Sequence, residues 1–230
     1  ARMDPVVIYS PSYSCDIGPH VFPTTKYRLV FERLVEEGWF AVGDAFDPPP
    51  ATRERIELAH TREYGDDLEQ LRHTERTVAS ELPLSREIVE FFRRSVEGTC
   101  VAARAALARR AAVHVGGGFH HAMADRAEGF CYLNDVAVAI RLLQHDGLVR
   151  RAAVVDVDVH QGNGTARIFA GDPSVFTLSL HQENNYPSPK ATSTLDVGLE
   201  DNTDDDAYNA ALAGALERVW AFAPELVLMV

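Results

Sequence analysis

Residues 152–160 read Ala-Ala-Val-Val-Asp-Val-Asp-Val-His. The β-branched run from Ala152 to Val159 predicts a strand. Side chains alternate faces along a strand, so Asp156, Asp158 and His160 share one face and the intervening valines turn toward the core. In an open α/β sheet, sites form beyond the carboxyl ends of the strands, which is where these three polar residues fall. Two carboxylates about 7 Å apart on one half-buried face repel each other, and a cation relieves that repulsion. A carboxylate with an imidazole is also a partial set for catalytic zinc, which uses three protein ligands and keeps one position open. The plainer reading is a pair of surface acids beside a histidine. Gly162 and Gly164, which bracket Asn163 in a tight turn, favour the metal site.

Upstream, Ala111 to Val115 is a short apolar run that opens into Gly116-Gly117-Gly118-Phe119-His120-His121. The glycines let backbone pass close to a ligand, and tandem histidines can supply a general base and its partner near neutral pH. On its own the motif slightly favours a glycine-rich turn with two solvated histidines. Both motifs at the same edge of neighbouring strands reverse that balance. Gly129-Phe130-Cys131-Tyr132 offers either an aromatic pocket wall or core packing. Ser179, Leu180 and His181 end a later strand where they could line the site, and solvent contact or a hydrogen bond is the expected role of His181. His60, His73, His114 and His145 read as structural, and Cys131 as an inert buried thiol.

The remaining pattern alternates helix and strand. Val6 to Ser10 opens with a strand, and Thr24 to Glu37 is helical, stopping at Gly38. Asp47-Pro48-Pro49-Pro50 is a connection. Thr52 to about Arg76 reads as short helices broken at Gly65, and Ser85 caps a long helix to about Arg110. Asn134 or Asp135 caps a helix to about His145, with Gly147 past its end. A short helix covers Thr165 to Phe169, and Val175 to Leu180 is a strand. Thr203 and Asp206 form a capping box before an alanine-rich helix to about Phe222, and Glu225 to Val230 is a last strand. The acidic run Asp201 to Asp206 reads as a solvated loop and helix start. Alternating strands and helices predict a mostly parallel sheet covered on both faces. Residues 1–230 read as a single domain.

The formal charge of −12, with no basic stripe, argues against direct nucleic-acid binding. An acidic surface attracts basic substrates. Cys15, Cys100 and Cys131 are too few and too widely spaced for a disulfide framework or a metal knuckle. No apolar run approaches a membrane span and no secretory signal is visible, so the expected setting is cytoplasmic.

Taken together, GGGFHHAMADRAEGFCYLNDVAVAI (116–140) and DVDVHQGNG (156–164) resemble the histone deacetylase superfamily, which includes acetylpolyamine amidohydrolases and acetoin-utilisation proteins. The pairing of GGGFHH with HQGNG, and His20-Val21-Phe22-Pro23 with Lys26-Tyr27, is most similar to its class IV branch. The resemblance implies an arginase-like three-layer α/β sandwich with a mostly parallel central sheet. It also implies zinc-dependent removal of an acyl group, foremost acetyl, from a lysine-bearing protein or peptide or an acylated small amine. Asp158 and His160 become zinc ligands and His121 the general base and acid. His120 tunes the site, supported by Asp156, and Asn163 backs His121. Phe119, Gly129 and Phe130 line the substrate channel. Asp156, Asp158, His160, Ser179 and Leu180 contribute to a structural K+ site; Phe169, Asp172 and Val175 fall where a second monovalent site lies in relatives.

Two departures carry expectations. Asn163 stands where many relatives have aspartate, so Asn163→Asp is expected to raise the acidic limb of the pH–rate profile. The family's third zinc ligand and its carbonyl-polarising tyrosine are expected beyond Val230, and none of the tyrosines here sits in that context. Residues 1–230 alone are therefore expected to bind zinc poorly and turn over slowly. The nearest alternatives are a two-metal ureohydrolase, which would add acidic ligands around DxDxH, and a binding protein without turnover.

Overall fold

The computed structural model describes residues 5–230. In chain order the elements are β1 (Val6–Ile8), α1 (Thr25–Glu36), β2 (Ala45–Phe46), α2 (Arg53–Ile56), α3 (Arg62–Glu69), α4 (Glu75–Val78), α5 (Arg86–Arg109) and β3 (Ala112–His114). They continue with α6 (Asp135–His145), β4 (Ala152–Asp156), α7 (Asn163–Ile168), β5 (Val175–Gln182), β6 (Leu195–Leu199), α8 (Asp205–Phe222) and β7 (Leu226–Met229). The strands pair in the orders β2-β1-β3 and β6-β5-β4-β7, and all of these pairings are parallel.

Every residue of β4 is buried, as a strand with helices on both faces requires. Ala152 and Val154 join a large core with Phe92 and Val96 of α5 and Ile140 and Leu143 of α6. Ala153 and Val155 face the other way, against Phe176 and Leu178 of β5 and Ala215 and Val219 of α8. This alternation makes three layers, consistent with the arginase-like sandwich. Each large apolar side chain so buried contributes about 1.5–3 kcal/mol.

Local signals set many boundaries. Ser85 caps α5 by accepting from the Ile88 N–H, and Asn134 caps α6 by accepting from Ala137. Arg110 ends α5 in the left-handed conformation. Among the described residues, no helix is long and apolar enough to cross a membrane.

Several expectations need correction. The strand from Ala152 stops at Asp156, and Val159 is 50% exposed rather than turned into the core. The cause is local: Asp156 Oδ1 accepts from the Asp158 N–H at 3.1 Å, and Asp158 Oδ1 from the His160 N–H at 2.7 Å. Such side-chain bonds two residues along compete with the sheet ladder. Gly65 lies inside α3 instead of breaking it, since Thr61 caps that helix and Gly65 packs under the Arg53 guanidinium. Asp204, not Thr203, caps α8; the Thr203 hydroxyl bonds back to the Glu200 carbonyl. The edge strands β2 and β6 were not anticipated. In β6, half-buried Leu195, Val197 and Leu199 alternate with exposed Asp196 and Gly198.

Candidate active site

One buried carboxylate shapes the loop that carries the tandem histidines. Asp135, in the first turn of α6, accepts from the Gly118 N–H at 3.0 Å, the Phe119 N–H at 2.8 Å and the Thr99 hydroxyl at 2.5 Å. Burial raises its pKa, opposed by these bonds. A Cβ on Gly117 would sit 2.5 Å from Asp135 Oδ2, which explains the glycine by space. Thr99 and Tyr13 hold the two ring nitrogens of His114 at 2.9 and 2.8 Å, confirming a structural role for that histidine. His60 is likewise structural: its Nε2 accepts from the Asn134 N–H at 3.0 Å.

The loop delivers His120 and His121 side by side, both buried, with ring centroids 4.1 Å apart. Each has a different partner. His120 Nδ1 lies 2.6 Å from Asp156 Oδ2, and His121 Nδ1 lies 2.7 Å from Asn163 Oδ1. The two electrostatic outcomes diverge. Burial opposes charge on His120, but the Asp156 carboxylate and its hydrogen bond outweigh burial and raise its pKa. Burial and the neighbouring His120 hold His121 down at about 3, with Asn163 pulling weakly the other way. The glycines of the following motif are required for this closeness. A Cβ on Gly162 would lie 2.2 Å from Asp156 Oδ2, and one on Gly164 would lie 2.4 Å from the His121 carbonyl oxygen.

Asp158 and His160 lie beside the pair. His160 Nδ1 is 3.1 Å from Asp158 Oδ1, and His120 Nε2 is 3.9 Å from the same oxygen. Burial would raise the Asp158 pKa, but His120 and His160 lower it. Two donors on one tetrahedral zinc, with bonds of about 2.0–2.1 Å, stand roughly 3.3 Å apart. The Asp158–His160 pair therefore fits a shared zinc ion. Among the described residues, no cluster of three or more His, Cys, Asp or Glu side chains suited to a metal comes together.

A model of the histone deacetylase domain matches residues 20–230. The chain belongs to the histone deacetylase family. It is 41% identical over 215 residues to an uncharacterized protein of Picosynechococcus sp., covering 92% of this chain and 71% of that one. It is 31% identical over 252 residues to the acetoin utilization protein AcuC of Bacillus subtilis, covering 98% and 65%. Against histone deacetylase 2 of Arabidopsis thaliana it is 30% identical over 237 residues, covering 96% and 61%. The chain thus spans less than two thirds of the length of these last two relatives. An HDAC homolog from Aquifex aeolicus superposes with a TM-score of 0.81 at 26% identity, covering 97% of this chain and 67% of that one.

Within this histone deacetylase fold the other expected residues separate. Asp156 and Ser179 are register partners on β4 and β5, and Leu180 follows, fully buried. The Ser179 hydroxyl meets His181 Nδ1 at 2.9 Å and the ring is buried, so of the two roles expected of that histidine it takes the hydrogen bond and not solvent contact. Asp172 pairs with Arg141 at 2.6 Å and bonds Ser174, while the Arg141 guanidinium lies over Phe169 and Val175 begins β5. Phe119 is not at the channel surface: it is buried against Phe91 and Phe92, with centroids at 5.6 and 4.6 Å. Phe130 is half-buried, edge-on to His20 at 4.8 Å and 6.1 Å from Phe22. Cys131 is buried, with its thiol pushed up to about 12 by burial, which agrees with an inert role.

Two site residues escaped the sequence reading. Tyr186 stands edge-on to His121 at 5.1 Å and to His160 at 6.0 Å. Glu128 accepts from the Tyr186 hydroxyl at 3.0 Å and from Asn163 Nδ2 at 2.6 Å. The only local signal for Glu128 was a carboxylate directly before Gly129-Phe130. For Tyr186 there was none.

Proposed function

We propose that this chain carries the proton-transfer pair and part of the metal site for zinc-dependent hydrolysis of an N-acyl group, foremost acetyl, from lysine or a related amine. The observation that carries the reading is the divided histidine pair beside the Asp158–His160 donors. Adjacent titratable groups pushed in opposite directions divide the proton-holding and proton-accepting roles. His120, held by Asp156, has its pKa raised, which favours positive charge in the site. His121, neutral and held at Nδ1 by Asn163, has Nε2 available to take a proton from the attacking water and return it to the leaving amine.

Asp158 and His160 would hold the zinc. When bound, the metal supplies Lewis-acid polarisation of the acyl carbonyl and acidifies the attacking water. Phe130 and Gly129 would border the acyl chain, and Tyr186 stands against the same histidines. A structural K+ would draw on Asp156, Asp158, His160, Ser179 and Leu180; the side-by-side register of Asp156 and Ser179 supports it. The net charge of −12 suits a cationic lysine-rich or polyamine substrate.

The test is acetate release from an acetyl-lysine peptide, with and without a zinc chelator, beside His121→Ala. Chelator-sensitive release that disappears in the variant is expected. A folded, zinc-loaded protein with no release from acetyl or longer-acyl peptides would overturn the proposal.

A further inference from the structure

Asparagine is an ambiguous partner for a catalytic histidine, because its amide can present either an acceptor or a donor. An aspartate carries no such ambiguity, since a carboxylate only accepts. Asn163 faces two groups at once: Oδ1 is 2.7 Å from His121 Nδ1, and Nδ2 is 2.6 Å from Glu128 Oε1. Were the amide turned over, its NH2 would face His121 and demand a lone pair at Nδ1. The single proton of the neutral ring would then sit on Nε2, and Nε2 could not act as a base.

We infer that Glu128 is a positioning residue that resolves this ambiguity, fixing the Asn163 amide and thereby the Nδ1–H tautomer of His121. The carboxylate offers acceptors alone, so the amide NH2 must point to it. The amide oxygen must then point to His121, whose Nδ1 must donate. The lone pair is left on Nε2.

Three further contacts hold Glu128 in this role. The Tyr186 hydroxyl donates to the same Oε1 at 3.0 Å, and Arg126 Nε lies 3.8 Å from Oε2, so both neighbours supply positive or donor character. The backbone of Glu128 is clamped by reciprocal bonds with Cys131 at 3.1 and 2.9 Å. The next residue, Gly129, lies against the His121 ring with no room for a Cβ. The carboxylate and the ring it governs through Asn163 are thus set by one tight turn.

The base role of His121 rests on the proposed function, whereas its tautomer does not. The experiment therefore reads the tautomer directly, by side-chain 15N–1H correlation of histidines in the metal-free full chain at pH 7.5, with His121 assigned by His121→Gln. The wild-type chain should show a protonated Nδ1 and a bare Nε2. Glu128→Lys replaces the acceptor with a donor, so the amide turns over and His121 moves to the Nε2–H form. Glu128→Gln keeps an oxygen and retains the wild-type tautomer as the major species. Glu128→Ala, the milder change if the lysine variant fails to fold, gives a mixture of the two. An Nε2–H tautomer in the wild type, or an unchanged Nδ1–H tautomer in the lysine or alanine variant, overturns the inference. Where acetate release is measurable, Glu128→Lys should lower kcat by about 10²-fold or more with KM nearly unchanged. Correct tautomers without any release would overturn the proposed function and leave this inference standing.

Discussion

Gly129→Ala separates backbone strain from pressure on the His121 ring. Gly129 has φ +51°, in the left-handed region, and an added Cβ would lie 2.6 Å from His121 Cδ2 and 2.9 Å from Cγ. Gly147 provides the control: its φ is +68°, yet nothing lies within 4 Å of its added Cβ. Both substitutions incur the left-handed cost of about 1–2 kcal/mol. For a domain of this size that is a fall in Tm of about 2–8 °C. Only at position 129 is there also a contact about 0.9 Å inside the ~3.5 Å resting distance of two carbons. The turn is clamped through Glu128 and Cys131, so the ring must give. Displacing it breaks the 2.7 Å bond to Asn163, worth a further 0.5–1.5 kcal/mol or so. A misplacement near 1 Å costs on the order of 10²-fold in rate. Thermal unfolding and acetyl-peptide turnover of both variants form the assay. Gly147→Ala should lose stability alone, while Gly129→Ala should lose more stability and most of its turnover. Equal Tm losses with equal turnover would refute the reasoning.

Other expectations follow from the same geometry. His160→Ala should weaken zinc binding measured by titration with a chelating dye, whereas His121→Ala should keep the metal and lose about 10²–10⁴-fold in kcat. Burial holds His60 at about 4 and His114 at about 3, both below the unfolded value of 6.5. The unfolded chain therefore binds more protons, so this stability is full above pH 6.5 and lost as pH falls toward 4 and then 3. For His60 the loss is about 3 kcal/mol, and His60→Gln, which keeps an acceptor for the Asn134 N–H, should remove that share from urea midpoints measured between pH 7 and 4. Asn163→Asp needs a revised expectation, because the new carboxylate would face Glu128 where Asn163 Nδ2 now lies at 2.6 Å. Two carboxylates that close share a proton. The acidic limb of the pH–rate profile should rise little in Asn163→Asp and fully in the double variant with Glu128→Gln; equal shifts in the two would refute the coupling.

The reading of the sequence succeeded where the signal was local. Ser85 and Asn134 cap the helices they precede, because a cap is a bond across three residues. Of the run from Ala152 to Val159 expected as a strand, Ala152–Asp156 formed one, buried throughout, and the two central motifs were enough to indicate the family. Local signals also misled. Strict alternation through Asp156-Val157-Asp158-Val159-His160 was the expectation, but the aspartates bond the backbone two residues on and end the strand. Phe119 adjoins the tandem histidines in sequence yet is buried in the aromatic core.

What only the tertiary structure decided is which polar group each histidine meets. Asp156 reaches His120 across 36 residues, Asn163 reaches His121 across 42, and Glu128 reaches Asn163 across 35. By itself the sequence determined the residue types and placed each motif just past a strand, because strand and helix periodicity are properties of neighbouring residues; β3 and β4, expected as neighbours in one sheet, pair in separate sheets. The pairings, and with them the opposite pKa shifts of the tandem histidines, arise from burial and hydrogen bonds between segments that only folding brings within 3 Å.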